Sequence, residues 1–154
     1  MRIAIVSLNG MPTNGETYFG IDLCKGINRI GHSCDLIAFN FRGRQPKNDV
    51  SENGIVYTKY KDINVLNNYD FVFFNCGKFK GNYDKIDFSK LTARRGLCIH
   101  NCSSIKTYNL QELNNKAGFN LFFSNDAAVS DIFSKKAFVL SLPFDTDKPR
   151  ASHT

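Results

Sequence analysis

Hydrophobic residues fall in short, nearly unbroken runs, and the polar stretches between them carry helical spacing. Ile3, Ala4, Ile5, Val6 and Leu8 form the first run, opened by Arg2. A run of this kind is what a central strand of a parallel sheet requires when both of its faces are covered. A polar turn follows over Asn9–Gly15, with Gly10, Pro12, Asn14 and Gly15 in it. From Tyr18 to Ile30 apolar and polar positions alternate roughly at helical spacing, and Gly31 predicts the stop of that helix. Strand, glycine-containing turn and helix make the opening of a βαβ unit. Ligands of open α/β sheets bind outside the carboxyl ends of the strands. Function is therefore expected on the Asn9–Gly15 loop and on the later loops along the same edge.

The rest of the chain repeats the pattern. Strands are predicted at Cys34–Phe39, Gly54–Tyr60, Phe71–Phe74, Gly96–His100, Asn120–Phe123 and Ala137–Leu140. Phe41–Glu52 is polar, basic and contains a proline, and reads as a long surface loop; Asn75–Tyr83 reads as another, with Gly77 and Gly81. A weak helical turn is expected at Ile63–Leu66, a short segment at Ile86–Leu91, and helices over Ile105–Ala117, stopped by Gly118, and Ala127–Phe133, capped from Ser124–Asn125–Asp126. Alternating strands and helices predict an α/β fold: a Rossmann-like, doubly wound, mainly parallel sheet.

A chain of 154 residues has room for one domain with a sheet covered on both sides. Fourteen Phe and six Tyr with no Trp place most of the rings in the core. The net charge of +6 favours an anionic partner. The basic residues are nevertheless scattered (Arg42, Arg44, Lys47; Lys78, Lys80; Arg94, Arg95; Lys135, Lys136), so a solvated surface and an anion-binding face both remain open. Five cysteines, an odd number, without a secretory signal point to reduced thiols and a cytoplasmic location. Cys98 and Cys102 lack a second cysteine pair, and no metal site is expected. No apolar stretch approaches the length of a transmembrane segment.

The first loop lacks Gly-x-Gly-x-x-Gly, the second strand ends in Phe39-Asn40-Phe41 where an acidic ribose ligand would stand, and there is no Gly-Lys-Ser/Thr loop. NAD binding and P-loop hydrolysis lose ground. What remains is a turn whose glycines permit close backbone approach, beside a helix N-terminus that favours anions.

In this order and spacing, five segments resemble the N-terminal, acceptor-side domain of the GT-B glycosyltransferases. They are Arg2–Ser7 with Pro12, Asn14-Gly15 and Gly31-His32; Tyr69–Phe74; Leu97–Asn101; Phe122–Asn125; and Leu142–Pro149. Asn14-Gly15 stands where that family has a double glycine, and the asparagine-glycine of its linker is missing after Pro143. Within the family, the pattern is most similar to the DNA α-glucosyltransferases of T-even bacteriophages.

The resemblance implies a domain over residues 1–142 and a linker stub over 143–154, with the C-terminal donor domain expected to be absent from this sequence or supplied by a separate chain. It implies a nucleotide-sugar donor, most simply a UDP-sugar, as substrate rather than a tightly bound cofactor, and an acceptor that is a glycan, a small molecule or DNA. His100, ending a central strand, is the catalytic candidate that would contact the transferred sugar or the acceptor; capping of the following turn is its structural alternative. Gly10, Asn14 and Gly15 would meet the donor phosphates, and Asn75, Asn101, Ser103 and Ser124 would contact donor or acceptor. A non-catalytic binding or assembly module built on the same fold is the alternative reading. His32 is read as structural.

Overall fold

A computed structural model describes residues 1–9, 15–40, 55–76, 85–99, 115–124 and 137–139. The loop expected at Phe41–Glu52, the helix at Ala127–Phe133 and most of the one over Ile105–Ala117 lie outside these residues, as does the stretch from Pro143 onward.

The elements are β1 (Arg2–Asn9), α1 (Gly15–Arg29), β2 (Ser33–Asn40), β3 (Tyr57–Lys59), α2 (Ile63–Leu66), β4 (Phe71–Cys76), a 3₁₀ turn (Phe88–Lys90), β5 (Arg94–Ile99), β6 (Leu121–Ser124) and β7 (Ala137–Val139). Among the described residues seven strands form one sheet in the order β3-β2-β1-β4-β5-β6-β7. Every neighbouring pair is parallel. The chain starts in the middle at β1, winds outward to β3, returns to place β4 on the other side of β1, and winds outward again to β7. This is the doubly wound, Rossmann-like architecture expected from the sequence, with its reversal of strand order between β1 and β4.

Both faces of the sheet are covered, which is why its strands read as apolar runs rather than as alternations. Ile5, Leu36, Ala38, Phe73 and Cys98 lie on one face and pack with Phe19, Ile21 and Cys24 of α1. Ala4, Val6, Ile37, Val72, Phe74 and Leu97 lie on the other, against Leu66, Phe88, Ala117 and Phe119. Three rings form the centre of the second layer: the centroid of Phe74 lies 5.5 Å from that of Phe88 and 5.8 Å from that of Phe119, in tilted and edge-on geometries. Such pairs add to plain area burial.

The turn from α1 to β2 shows how local chemistry fixes the entry angle of a strand. Gly31 takes φ +97°, a left-handed conformation that suits glycine. The Gly31 N–H donates to the Asn28 carbonyl and the His32 N–H to that of Ile27, which is the Schellman closure of a helix. Asn28 then reaches across the turn: its Oδ1 accepts from the Cys34 N–H at 2.8 Å and its Nδ2 donates to the Cys34 carbonyl at 3.0 Å. The Cys24 thiol donates to that carbonyl as well, at 3.1 Å. Cys24, Cys34 and Cys98 are free thiols and all three are buried. The hydrogen bond from Cys24, and then burial, push the Cys34 thiol far above the usual thiol range, so it behaves as a small hydrophobe.

The amino edge of the sheet is tied by side chains. The Asp70 carboxylate accepts from the Arg2 N–H at 2.7 Å, and the Asp70 N–H returns a bond to the Arg2 carbonyl at 2.8 Å. The Arg2 guanidinium stacks over the Tyr69 ring at 5.1 Å, and the Tyr69 hydroxyl donates to Asp35 at 2.7 Å. Burial, followed by that hydrogen bond, raises the Tyr69 phenol above its ordinary range. Arg95 is the second tie. Its guanidinium donates to the carbonyls of Phe88, Leu91, Ala93 and Ala117 at 3.3, 2.6, 3.2 and 2.9 Å. It therefore joins β5 to the two segments that flank it, and burial lowers its pKa. Asn120 completes the join, exchanging two bonds with the Arg95 backbone.

Two expectations change. The apolar run ending at Phe74 places Asn75 and Cys76 in a loop, but β4 runs through both. Phe73 and Asn75 sit two apart on the strand, and the Asn75 side chain is inside because it finds a polar partner there. The sequence also places Arg94 and Arg95 among scattered surface charges. They are the first residues of β5, and Arg95 serves backbone carbonyls rather than solvent or an anion.

Candidate functional site

The reversal of strand order puts the crevice between β1 and β4 at the carboxyl edge. Residues two apart on a strand share a face, so the α1 side of β1 carries Ile3, Ile5 and then Ser7, and that of β4 carries Phe71, Phe73 and then Asn75. The apolar rows thus end in one polar residue each as they approach the edge. Among the described residues, Ser7, Asp22 and Asn75 are the buried polar side chains, with Asn75 fully enclosed. The Asn75 amide donates to the Ser7 hydroxyl at 3.1 Å, bridging the two strands. In a buried setting this bond is worth more to keep than to make, since either partner left alone would carry its full desolvation cost.

Helix α1 lies directly on this pair at Gly20. A Cβ at Gly20 would stand 2.8 Å from Asn75 Nδ2, 3.1 Å from Ser7 Oγ and 3.6 Å from Ile5 Cγ2. Glycine in a helix interior costs helix stability; here it admits the Ser7–Asn75 bridge beneath the helix. The consequence reaches the edge of the sheet. Gly15 begins α1, five residues before Gly20, about 7.5 Å along the axis at 1.5 Å per residue. The seat at Gly20 thereby sets where the amino end of a fifteen-residue helix meets the end of β1. Free N–H groups and the helix dipole make that end favourable for an anion.

Of the sequence-predicted site residues, three are described. Gly15 is the first residue of α1, Asn75 is the penultimate residue of β4, and Ser124 is the last of β6. Ser124 pairs in register with Ile99, the last residue of β5, while Cys76 pairs with Ile99 from the other side. The ends of β4, β5 and β6 are therefore level with one another along the carboxyl edge. His100 follows Ile99 in sequence; His100, Gly10, Asn14, Asn101 and Ser103 lie outside the described residues. Ser7 and Gly20 are the residues that sequence reasoning misses. Their signal is a hydroxyl closing an apolar row and a glycine placed where a helix former belongs.

Among the described residues no three His, Cys, Asp or Glu side chains gather as a metal site would require, and no helix is long and apolar enough to cross a membrane.

No protein-family model and no curated protein matches the chain. Solved structures do. An α-glucosyltransferase in complex with UDP and a 13-mer DNA containing a HMU base aligns with 94% of this chain at 16% identity and a TM-score of 0.66. The same kind of enzyme with UDP-glucose and DNA containing an abasic site aligns with 94% at 15% identity and a TM-score of 0.62. With UDP alone, 98% of this chain aligns at 17% identity and a TM-score of 0.58. The likeness is one of fold: this chain has the Rossmann-like architecture of a GT-B glycosyltransferase domain. It spans 43% of the length of the first of these enzyme chains.

Proposed function

We propose that residues 1–142 form the acceptor-side domain of a GT-B glycosyltransferase, which transfers a sugar from a nucleotide-sugar, most simply a UDP-sugar, to an acceptor. A C-terminal donor domain, joined through residues 143–154 or carried by a separate chain, completes the enzyme in a reducing cytoplasm. The acceptor is a glycan, a small molecule or DNA; the DNA in the aligned enzyme complexes supports the last. The observation that carries the reading is the α1 amino end, held over the β1/β4 reversal by the packing of Gly20 on the Ser7–Asn75 bridge, in a fold shared with UDP-binding glucosyltransferases.

Glycosyl transfer develops positive charge at the sugar's anomeric carbon and negative charge on the departing diphosphate. In this reading Gly10, Asn14 and Gly15 bring backbone N–H groups and the α1 dipole to the diphosphate. The absence of a Cβ at Gly10 and Gly15 allows close approach. Asn75 acts from beneath, by holding Ser7 and the seat of the helix. His100 contacts the transferred sugar or the acceptor hydroxyl, and Asn101, Ser103 and Ser124 hydrogen-bond sugar or acceptor hydroxyls along the same edge.

Calorimetric titration of the purified chain with UDP-glucose and other UDP-sugars tests this. Binding is expected, with Gly15→Val abolishing it by filling the phosphate approach and His100→Ala weakening it about tenfold or more. Absence of binding to every donor would leave the fold standing, exclude a self-sufficient donor site in this domain, and favour either the binding or assembly module or a domain that works only once completed by its C-terminal partner.

A further inference from the structure

A concave surface lies outside the β1/β4 site. It is a groove of about 380 Å³ lined by Phe39, Tyr60, Lys61, Asp62, Ile63, Lys85, Asp87 and Lys90. It opens where β2 and β3 end, on the side of the sheet opposite α1: Phe39, Tyr60 and Ile63 pack against the core layer built on Val6, Phe74 and Phe88. The Tyr60 N–H donates to the Ala38 carbonyl at 2.8 Å, which fixes Tyr60 beside the end of β2. The Phe39 and Tyr60 rings lie 4.7 Å apart at 45°, and both are only partly buried. They form an aromatic wall with exposed area left to cover.

The charges at the mouth are unequal in what they are free to do. The Asp62 carboxylate caps α2, accepting from the Asn64 N–H at 2.9 Å. Asp87 accepts from the Ser89 N–H at 3.2 Å and from its hydroxyl, and sits 3.8 Å from Lys90. Those bonds, the Ser89 hydroxyl first, hold the Asp87 carboxyl below the usual carboxylate range. Both acids serve the backbone turns that carry them, and the lysines outnumber them three to two at the mouth. Among the described residues no carboxylate holds Lys61 or Lys85, and both are exposed. An aromatic wall with lysines at its mouth combines the two elements that bind a nucleotide unit: a stacking surface for the base and cations for the phosphate. The volume is in the range of small-ligand sites.

We propose that this groove binds a nucleotide unit, with the base against Phe39 and Tyr60 and the phosphate at Lys61 and Lys85. The unit is either a free nucleoside monophosphate or one residue of a single-stranded nucleic acid. The proposal stands on these residues and not on the glycosyltransferase reading.

Fluorescence anisotropy with a labelled single-stranded oligothymidylate, competed by UMP or by inorganic phosphate, provides the test. The unmodified chain is expected to bind. The double variant Lys61→Glu/Lys85→Glu should weaken binding at least tenfold, and reduce the dependence of log affinity on log salt by roughly 0.7 for each phosphate no longer neutralised. Tyr60→Leu, which keeps apolar volume but removes the ring, should weaken it about tenfold while circular dichroism shows an unchanged fold. UDP-glucose affinity at the crevice, read from the amide shifts of the first turns of α1, should be unaltered by either variant, which separates this groove from the crevice. Competition by UMP at micromolar to millimolar concentration would assign the free nucleotide, and competition by oligomer alone would assign the strand. The proposal is overturned if the chain binds neither probe, if the lysine variant binds as tightly as the unmodified chain, or if Tyr60→Leu is neutral and inorganic phosphate competes as well as UMP.

Discussion

Gly20→Val is expected to destabilise the domain by about 2–4 kcal/mol, the sum of overpacking beneath α1 and loss of a buried hydrogen bond. The added Cβ would meet the Asn75 amide at 2.8 Å and the Ser7 hydroxyl at 3.1 Å. Neither group has open space, since Asn75 is fully buried and Ser7 nearly so. Either α1 lifts off the sheet or the Ser7–Asn75 bond breaks. Gly20→Ala should cost much less, because its gain of about 1 kcal/mol in helix propensity opposes the clash. Urea unfolding of Gly20→Val, Asn75→Ala and the pair measures both effects. The double variant should be less destabilised than the sum of the singles, because removing the Asn75 amide clears space for the valine. Additive values would show that α1 does not seat on this bridge. Donor affinity should fall in Gly20→Val even at temperatures where the fold persists, because the amino end of α1 moves.

Arg95→Ala is expected to cost about 2–4 kcal/mol for a different reason. It removes no core volume but leaves the carbonyls of Phe88, Leu91, Ala93 and Ala117 without their shared donor. Arg95→Lys should recover little, since one ammonium cannot reach four acceptors that a planar guanidinium spans. Because Arg95 lies at the amino edge of β5, variants there should lower the unfolding midpoint and leave UDP-glucose affinity unchanged in the folded protein. A loss of affinity without loss of stability would place Arg95 in an anion site after all.

The sheet is legible in the sequence because burial on two faces leaves a plain mark: Ile3–Val6, Phe71–Phe74 and Leu97–Ile99 admit few other readings. Gly31 and Gly118 are legible as stops, and both take positive φ, +97° and +64°. The weak turn at Ile63–Leu66 matches α2 residue for residue. The polar end of β4 is not legible. An asparagine after an apolar run reads as a loop opening unless its partner is known, and the partner, Ser7, is sixty-eight positions away. The role of Arg95 is hidden on the same ground, as its acceptors are carbonyls, which leave no trace in side-chain chemistry. Local propensity reports elements well; long-range polar pairing is a property of the fold, and here it is what shapes the crevice.

The most direct test of the central claim is a map of where a nucleotide-sugar meets the domain, read from amide chemical shifts of isotope-labelled protein titrated with UDP-glucose. The account predicts the largest shifts in the first turns of α1, from Gly15 to Gly20, and at Ser7, Asn75 and Ser124 on the carboxyl edge, all saturating at one affinity. Shifts confined to the amino edge, at Arg2, Asp70, Arg94 and Asn120, or no saturable shift at all, would contradict it.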